Sequence, residues 1–356
     1  MNEIRYDPLS GHRVLIAEGR ADRPRDFDIS HSVDSNLDCP FCAGNENQTP
    51  DEVLRANTPD TADGWAVRIV RNKFPALSLP SAPRHRKEDL ALDRLSDASG
   101  SNANPTVRGE GLHEVIIESP EHHIRTTELG VTQLTTVLHT TANRLEQIRG
   151  LSEFQSVQIF KNDGPVAGAT IAHTHSQLIA LPMITPSLSR ELTAMALHRE
   201  QTQHCLLCEM QENEIRVGKR IVAENVAFTA FCAFAGRQPG ETWIVPKTHQ
   251  PDFSATPFDD CRLLAEILDQ VLRQLDVALT VPAYNSMIHS APLEGDFADH
   301  YHWRMVILPR ITTQAGFEWG SGCFITPIAP ERIANAMRHG VTEAIRANIQ
   351  MTSRAS

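Results

Sequence analysis

His173-Thr174-His175-Ser176-Gln177-Leu178-Ile179-Ala180-Leu181-Pro182 is the stretch from which the architecture of this chain can be worked out. On a β-strand, residues i, i+2 and i+4 share a face. His173, His175 and Gln177 therefore line one side. A second stretch, His300-Tyr301-His302-Trp303-Arg304-Met305-Val306-Ile307-Leu308-Pro309, matches it without a gap at both His, at the Leu and at the Pro. Each half opens with a CxxC, at Cys39/Cys42 and at Cys205/Cys208. Each also has a strand ending in Pro shortly before a His, in Ser119-Pro120-Glu121-His122 and in Val245-Pro246-Lys247-Thr248-His249. Three matching features in one order point to an internal duplication with a break near residues 183–190. The expectation is two similar lobes, 1–183 and 184–356.

Outward from these stretches, residues 13–17, 66–70, 113–118 and 155–161 read as strands, and 131–149 as a helix with apolar residues at helical spacing. Residues 81–110 carry no apolar period and read as a long loop. The second half reads as a helix near 187–204, strands near 219–223, 227–233 and 241–245, a helix at 259–277, strands near 283–288 and 302–308, and a closing helix at 330–348.

The chain has 356 residues, 41% hydrophobic and 22% charged, with a formal net charge of −11. That balance suits a globular protein and disfavours nucleic acid as main partner, since duplex binding needs excess Lys and Arg. No stretch approaches a membrane span, and the N-terminus lacks a signal-peptide pattern, so a cytoplasmic location with no membrane partner is expected. Seven Cys are a poor disulfide framework in such a chain, and four fall into the two CxxC pairs.

An imidazole is a good nucleophile toward phosphorus, because it is neutral near physiological pH and leaves readily again. A nearby amide can donate to a non-bridging oxygen as charge builds there. His175 and Gln177 fit those roles. Asn162-Asp163-Gly164 and Gly168 offer a turn where backbone can approach a phosphate closely. Basic residues in Arg20-Ala21-Asp22-Arg23-Pro24-Arg25 and in Arg71-Asn72-Lys73-Phe74-Pro75 could neutralise a pyrophosphate. Each CxxC can give two thiolates to a tetrahedral Zn²⁺. Candidate partners are His122 and His173 for Cys39 and Cys42, and His249 and His302 for Cys205 and Cys208. Two zinc ions per chain are expected.

These motifs resemble the galactose-1-phosphate uridylyltransferases, a branch of the histidine-triad superfamily. The resemblance runs from Asp7-Pro8-Leu9 to Gly316-Phe317-Glu318. It rests on an RAxRP stretch (Arg20 to Pro24), Cys39/Cys42, Asn72 to Leu77, Ser119 to His122, and Asn162, Gly164, Gly168, His173, His175 and Gln177. It implies an α+β fold of two histidine-triad-like lobes, a mostly antiparallel sheet with helices outside, and a homodimer. It makes His175 the nucleophile, with Gln177 beside it, and His173 a zinc ligand. Substrate contacts implied are Arg20, Arg23, Asn72, Lys73, Asn162, Gly168, Thr170, Gln177, Phe317 and Glu318.

The active-site motif departs from the HPHGQ of the best-known branch. The second CxxC, with Lys247-Thr248-His249 and His302-Trp303, is similar to a two-zinc subgroup that also includes ADP-glucose phosphorylase-like proteins. The duplication aligns His300 with His173, whereas this subgroup makes His302 the ligand; we follow the subgroup. The leading expectation is uridylyl exchange between UDP-glucose and galactose 1-phosphate through a nucleotidyl-His175. Adenylyl transfer from ADP-glucose to phosphate is the alternative with the same chemistry. A zinc-stabilised nucleotide-binding protein without turnover is the alternative of another class.

Overall fold

The computed structural model describes residues 3–16, 39–57, 64–80, 109–280 and 282–340. Arg20, Arg23, most of the 81–110 loop and the end of the closing helix lie outside the described residues.

Ten strands form one sheet. In chain order they are β3 (Glu52–Ala56), β4 (Val67–Arg71), β5 (Leu112–Ile117), β6 (Ser156–Asp163), β7 (His175–Leu181), β8 (Ile221–Glu224), β9 (Phe228–Cys232), β10 (Thr242–Pro246), β11 (Tyr284–His289) and β12 (Arg304–Pro309). A separate three-stranded sheet joins β1 (Glu3–Tyr6), β2 (Arg13–Ile16) and β13 (Cys323–Thr326). The helices are α1 (Gly130–Arg149), α2 (Pro186–Thr202), α3 (Leu206–Val217), α4 (Phe258–Leu279), α5 (Gly316–Ser321) and α6 (Pro330–His339).

The order of the large sheet is β3-β4-β5-β7-β6-β11-β12-β10-β9-β8, with every pairing antiparallel. It is a palindrome in which β3 to β7 of the first half answer β8 to β12 of the second. The helix between the third and fourth strands of each half is α1 or α4. The fold is thus α+β, as expected, but the sheet does not stop at the break between the halves. β6 pairs with β11, with Asn285 opposite Asn162 and Tyr284 opposite Asp163.

The apolar stripe of α4 (Leu264, Ile267, Leu268, Val271, Leu272 and Leu275) and that of α1 (Leu134, Val137, Leu138 and Leu145) are buried in one core with Ile116, Leu178, Ile159, Met305 and Ile307 of the sheet. Alternation along each strand puts those residues on one face and His175, Gln177 and Arg304 on the other.

The other face is treated differently in the two halves. Over the second half, α2 and α3 close it: Met195, Leu206 and Leu207 pack with Phe231, Trp243, Val245 and Val306. Thr185 starts α2 by accepting the Leu188 N–H, with Pro186 at the first helical position. Over the first half, Cys39 and Phe41 of the CxxC turn pack with Trp65, Val70, Val115 and Ile117.

Candidate active site

The CxxC turn and the segment after β5 converge on the start of β7. The Ala43 N–H donates to the Pro120 carbonyl at 2.9 Å, and the Thr174 N–H to the His123 carbonyl at 2.7 Å. Cys39, Cys42, His122 and His173 meet there, with one ligand atom from each within 4.8 Å of the others. His122 Nδ1 lies 3.3 Å from Cys42 Sγ, and His173 Nδ1 lies 3.5 Å from Cys39 Sγ. A tetrahedral zinc with ordinary Zn–S and Zn–N bonds sets its ligand atoms roughly 3.3–3.8 Å apart. The four donors fit that ion. His173 Nε2–H donates to the Ser119 carbonyl at 2.9 Å, which leaves the Nδ1 lone pair for the metal position.

Cys205, Cys208, His249 and His302 form a second such group. Cys205 caps α3 and Cys208 lies in its first turn, an element not foreseen from sequence. Nδ1 of His249 and Nδ1 of His302 each lie 3.3 Å from Cys208 Sγ. His300 meets this group only through its backbone carbonyl, which accepts from Cys205 Sγ. The ungapped match is therefore offset by two residues. His302 precedes β12 by two positions, as His173 precedes β7, and Arg304 occupies the place of His175.

His175 is buried, and its ring stands 5.3 Å from that of Phe41. Nδ1–H donates to the His173 carbonyl at 2.7 Å. The ring lone pair is thereby placed on Nε2. Burial, the largest influence, lowers the imidazole's pKa, the His173 carbonyl opposes the shift, and the Lys161 charge adds to it. The lowered pKa favours the neutral ring at physiological pH.

On the opposite face a buried lysine holds the strand. Lys161 Nζ donates to Glu118 Oε2 at 2.5 Å and to Thr174 Oγ1 at 2.6 Å. Glu118 also accepts from Thr174 Oγ1 at 2.6 Å and from Ser176 Oγ. The residues flanking His175 on both sides are thus tied to one carboxylate.

Gln177 and Asn72, both candidate substrate contacts from the sequence, lie side by side, with Asn72 Nδ2 3.5 Å from Gln177 Oε1. A third member was missed: His113 Nε2 lies 2.8 Å from Gln177 Oε1. On β5, Val115 is opposite Gln177, so His113 is the diagonal neighbour on the same face. That contact depends on strand register, which the sequence does not display.

Asn162 bonds across the halves, accepting from Asn285 Nδ2 at 2.8 Å and reaching toward the Gly168 carbonyl at 3.5 Å. Gly168 adopts a left-handed backbone (φ 95°), and a Cβ on Gly164 would lie 2.9 Å from that of Ala283. Both positions need glycine for the turn. Lys73 and Thr170 are exposed. Phe317 and Glu318 lie on α5, which packs on β13; Glu318 caps its own helix through the Ala315 N–H. Among the described residues no hydrogen bond links either to the His175 group.

The corresponding place in the second half is filled. Arg304 forms a two-point ion pair with Glu191 of α2 (2.8 and 3.1 Å), and His289 Nδ1 lies 3.3 Å from the same carboxylate. Burial pushes the Glu191 carboxyl up, but the Arg304 and His289 charges outweigh it, so the group stays ionised well below the ordinary carboxylate range. Glu191→Ala would strand a buried guanidinium and is expected to cost about 3–5 kcal/mol of stability. Urea unfolding checks this, and turnover below the transition should be unchanged.

Comparison with known proteins places the chain in a family. The galactose-1-phosphate uridyl transferase N-terminal domain matches residues 1–185, and a domain of unknown function matches 116–354. An ADP-glucose phosphorylase of Arabidopsis thaliana is 33% identical over 343 residues, covering 94% of this chain and 92% of its own. The galactose-1-phosphate uridylyltransferase of Thermotoga maritima is 24% identical over 351 residues, covering 96% of this chain and all (100%) of its own. The crystal structure of an Arabidopsis ADP-glucose phosphorylase with bound ADP-glucose superposes with a TM-score of 0.79 at 32% identity, over 95% of this chain and 99% of that one. A uridylyltransferase structure gives 0.69 at 25% identity, over 98% and 99%. With the family matched across its first half and a relative one-third identical along almost its whole length, the chain belongs to the galactose-1-phosphate uridylyltransferase family of nucleotidyltransferases.

Proposed function

We propose that this chain transfers an adenylyl group from ADP-glucose to inorganic phosphate through a covalent nucleotidyl-His175. The observation that carries the chemistry is the His175 Nδ1–H bond to the His173 carbonyl, which presents Nε2 as the nucleophile. In the first displacement the Nε2 lone pair attacks the α-phosphorus and glucose 1-phosphate leaves. In the second, a phosphate oxygen attacks the same phosphorus, ADP leaves and His175 is restored. Gln177 supplies an amide donor to the non-bridging oxygens as their charge grows.

The choice of nucleotide is supported by relatedness: 33% identity to the ADP-glucose phosphorylase against 24–27% to the uridylyltransferases. Uridylyl exchange between UDP-glucose and galactose 1-phosphate, the leading expectation from sequence, is thereby displaced to second place. The two Cys/His groups would hold zinc with all four positions filled, so the metal would hold structure together and leave no open site for substrate.

Incubation with ADP-glucose and with UDP-glucose, each labelled in the α-phosphate, separates the readings. ADP-glucose should label the protein within one turnover, and added phosphate should discharge the label as ADP. Labelling by UDP-glucose alone would overturn the nucleotide assignment and leave the chemistry standing.

A further inference from the structure

The Gln177 amide has two unlike ends. Nε2 can donate to a phosphate oxygen, whereas Oε1 turned the same way would repel it. Something must decide which end faces the nucleotide. Two backbone N–H groups in the segment after β4 do so, and they act through His113 and Asn72.

The Ala76 N–H donates to His113 Nδ1 at 3.0 Å. A backbone N–H can only donate, so Nδ1 holds a lone pair and the ring proton sits on Nε2. Nε2–H then points at Gln177, and the atom 2.8 Å away must be the acceptor Oε1. The Phe74 N–H donates to Asn72 Oδ1 at 2.8 Å, which turns Asn72 Nδ2 toward the same Oε1 at 3.5 Å. His113 Nε2 and Asn72 Nδ2 lie 3.0 Å apart, but both are donors and share the acceptor rather than bonding each other. With Oε1 held, Nε2 of Gln177 is the free end. Among the described residues it has no hydrogen-bond partner.

We infer that His113 is a positioning residue for nucleotidyl transfer: through the Ala76 N–H and its own fixed tautomer, it orients the Gln177 amide so that Nε2 faces the phosphate on His175. The inference rests on the proposed roles of His175 and Gln177. It also couples residues 72–76 to the catalytic strand, since a shift of the Ala76 backbone would release the tautomer and with it the amide.

The test uses single-turnover formation of the nucleotidyl-enzyme, with substrate affinity and melting temperature measured beside it. His113→Leu keeps bulk and removes the donor. It should slow formation by about 10- to 10²-fold, a part of the roughly 10²–10³-fold expected when the Gln177 donor itself is lost. Affinity and melting temperature should change little. His113→Gln, whose amide can stand near the position of Nε2, should recover most of the rate. In a Gln177→Ala background, His113→Leu should add nothing, because the group it orients is gone. An unchanged rate in His113→Leu, or a full further loss in the double variant, would overturn the inference. An unchanged rate in Gln177→Ala would instead overturn the role of Gln177, so the two failures are distinguishable.

Discussion

Replacing His175 with alanine is expected to remove nucleotidyl transfer and leave the protein folded. Loss of a nucleophile that acts as a unit with its supporting groups typically costs on the order of 10⁴–10⁶-fold in turnover. His175 belongs to neither Cys/His group, and among the described residues its ring makes one hydrogen bond, to the backbone of His173. The strand beneath it is held from the other face by Glu118 and Lys161, which the substitution does not touch. The melting temperature should therefore stay close to that of the parent. No label from an α-phosphate-labelled nucleotide sugar should remain on the denatured variant. His175→Gly opens a space the size of an imidazole next to Phe41, so added imidazole should restore part of the transfer to a soluble acceptor. Full turnover by the alanine variant would rule out His175 as the carrier.

The site was legible in the sequence where local rules suffice. Period-two alternation puts His175 and Gln177 on one face, and β7 spans His175–Leu181 as its apolar run indicates. CxxC spacing and the repeated Pro-to-His step point to Cys39, Cys42, His122, Cys205, Cys208 and His249, and the HxH stretch adds His173. Only the subgroup resemblance chooses His302 over His300. The structure brings these eight side chains into two groups. What the sequence hid depends on pairing between distant strands. His113 meets Gln177 only because Val115 is opposite it, a register decided by the whole sheet. Arg304 stands in the second half where His175 stands in the first, yet the ungapped match aligned His302 there instead. Such an offset of two preserves the face of every side chain, so alternation alone cannot detect it. The short strands β3 and β13 carry too few residues for a periodic signal. Nothing in the sequence singles out Glu191; it is buried, paired with Arg304 of β12.

The two Cys/His groups should separate in their consequences when each is broken. In the first, the proposed ligand His173 also supplies the carbonyl that holds His175 Nδ1–H, so His173 links the proposed metal position to the proposed nucleophile. In the second, His302 leads into Arg304, whose ion pair with Glu191 fills the place that His175 has in the first half. Structural zinc at a site of this kind is linked to folding by an apparent binding free energy of about 10 kcal/mol or more. Both Cys39→Ser and Cys205→Ser should accordingly lower the melting temperature steeply, and each should reduce the metal content from two ions per chain to one. Below both transitions, Cys205→Ser should form the nucleotidyl-enzyme at nearly the parental rate. Cys39→Ser should form it slowly, because without the ion the His173 segment can relax and His175 loses its fixed tautomer. Elemental analysis, thermal melting and single-turnover labelling of the same preparations check all three statements. Metal-free protein with an unchanged melting temperature would refute the zinc assignment, and equal kinetic damage in both variants would refute the division of roles.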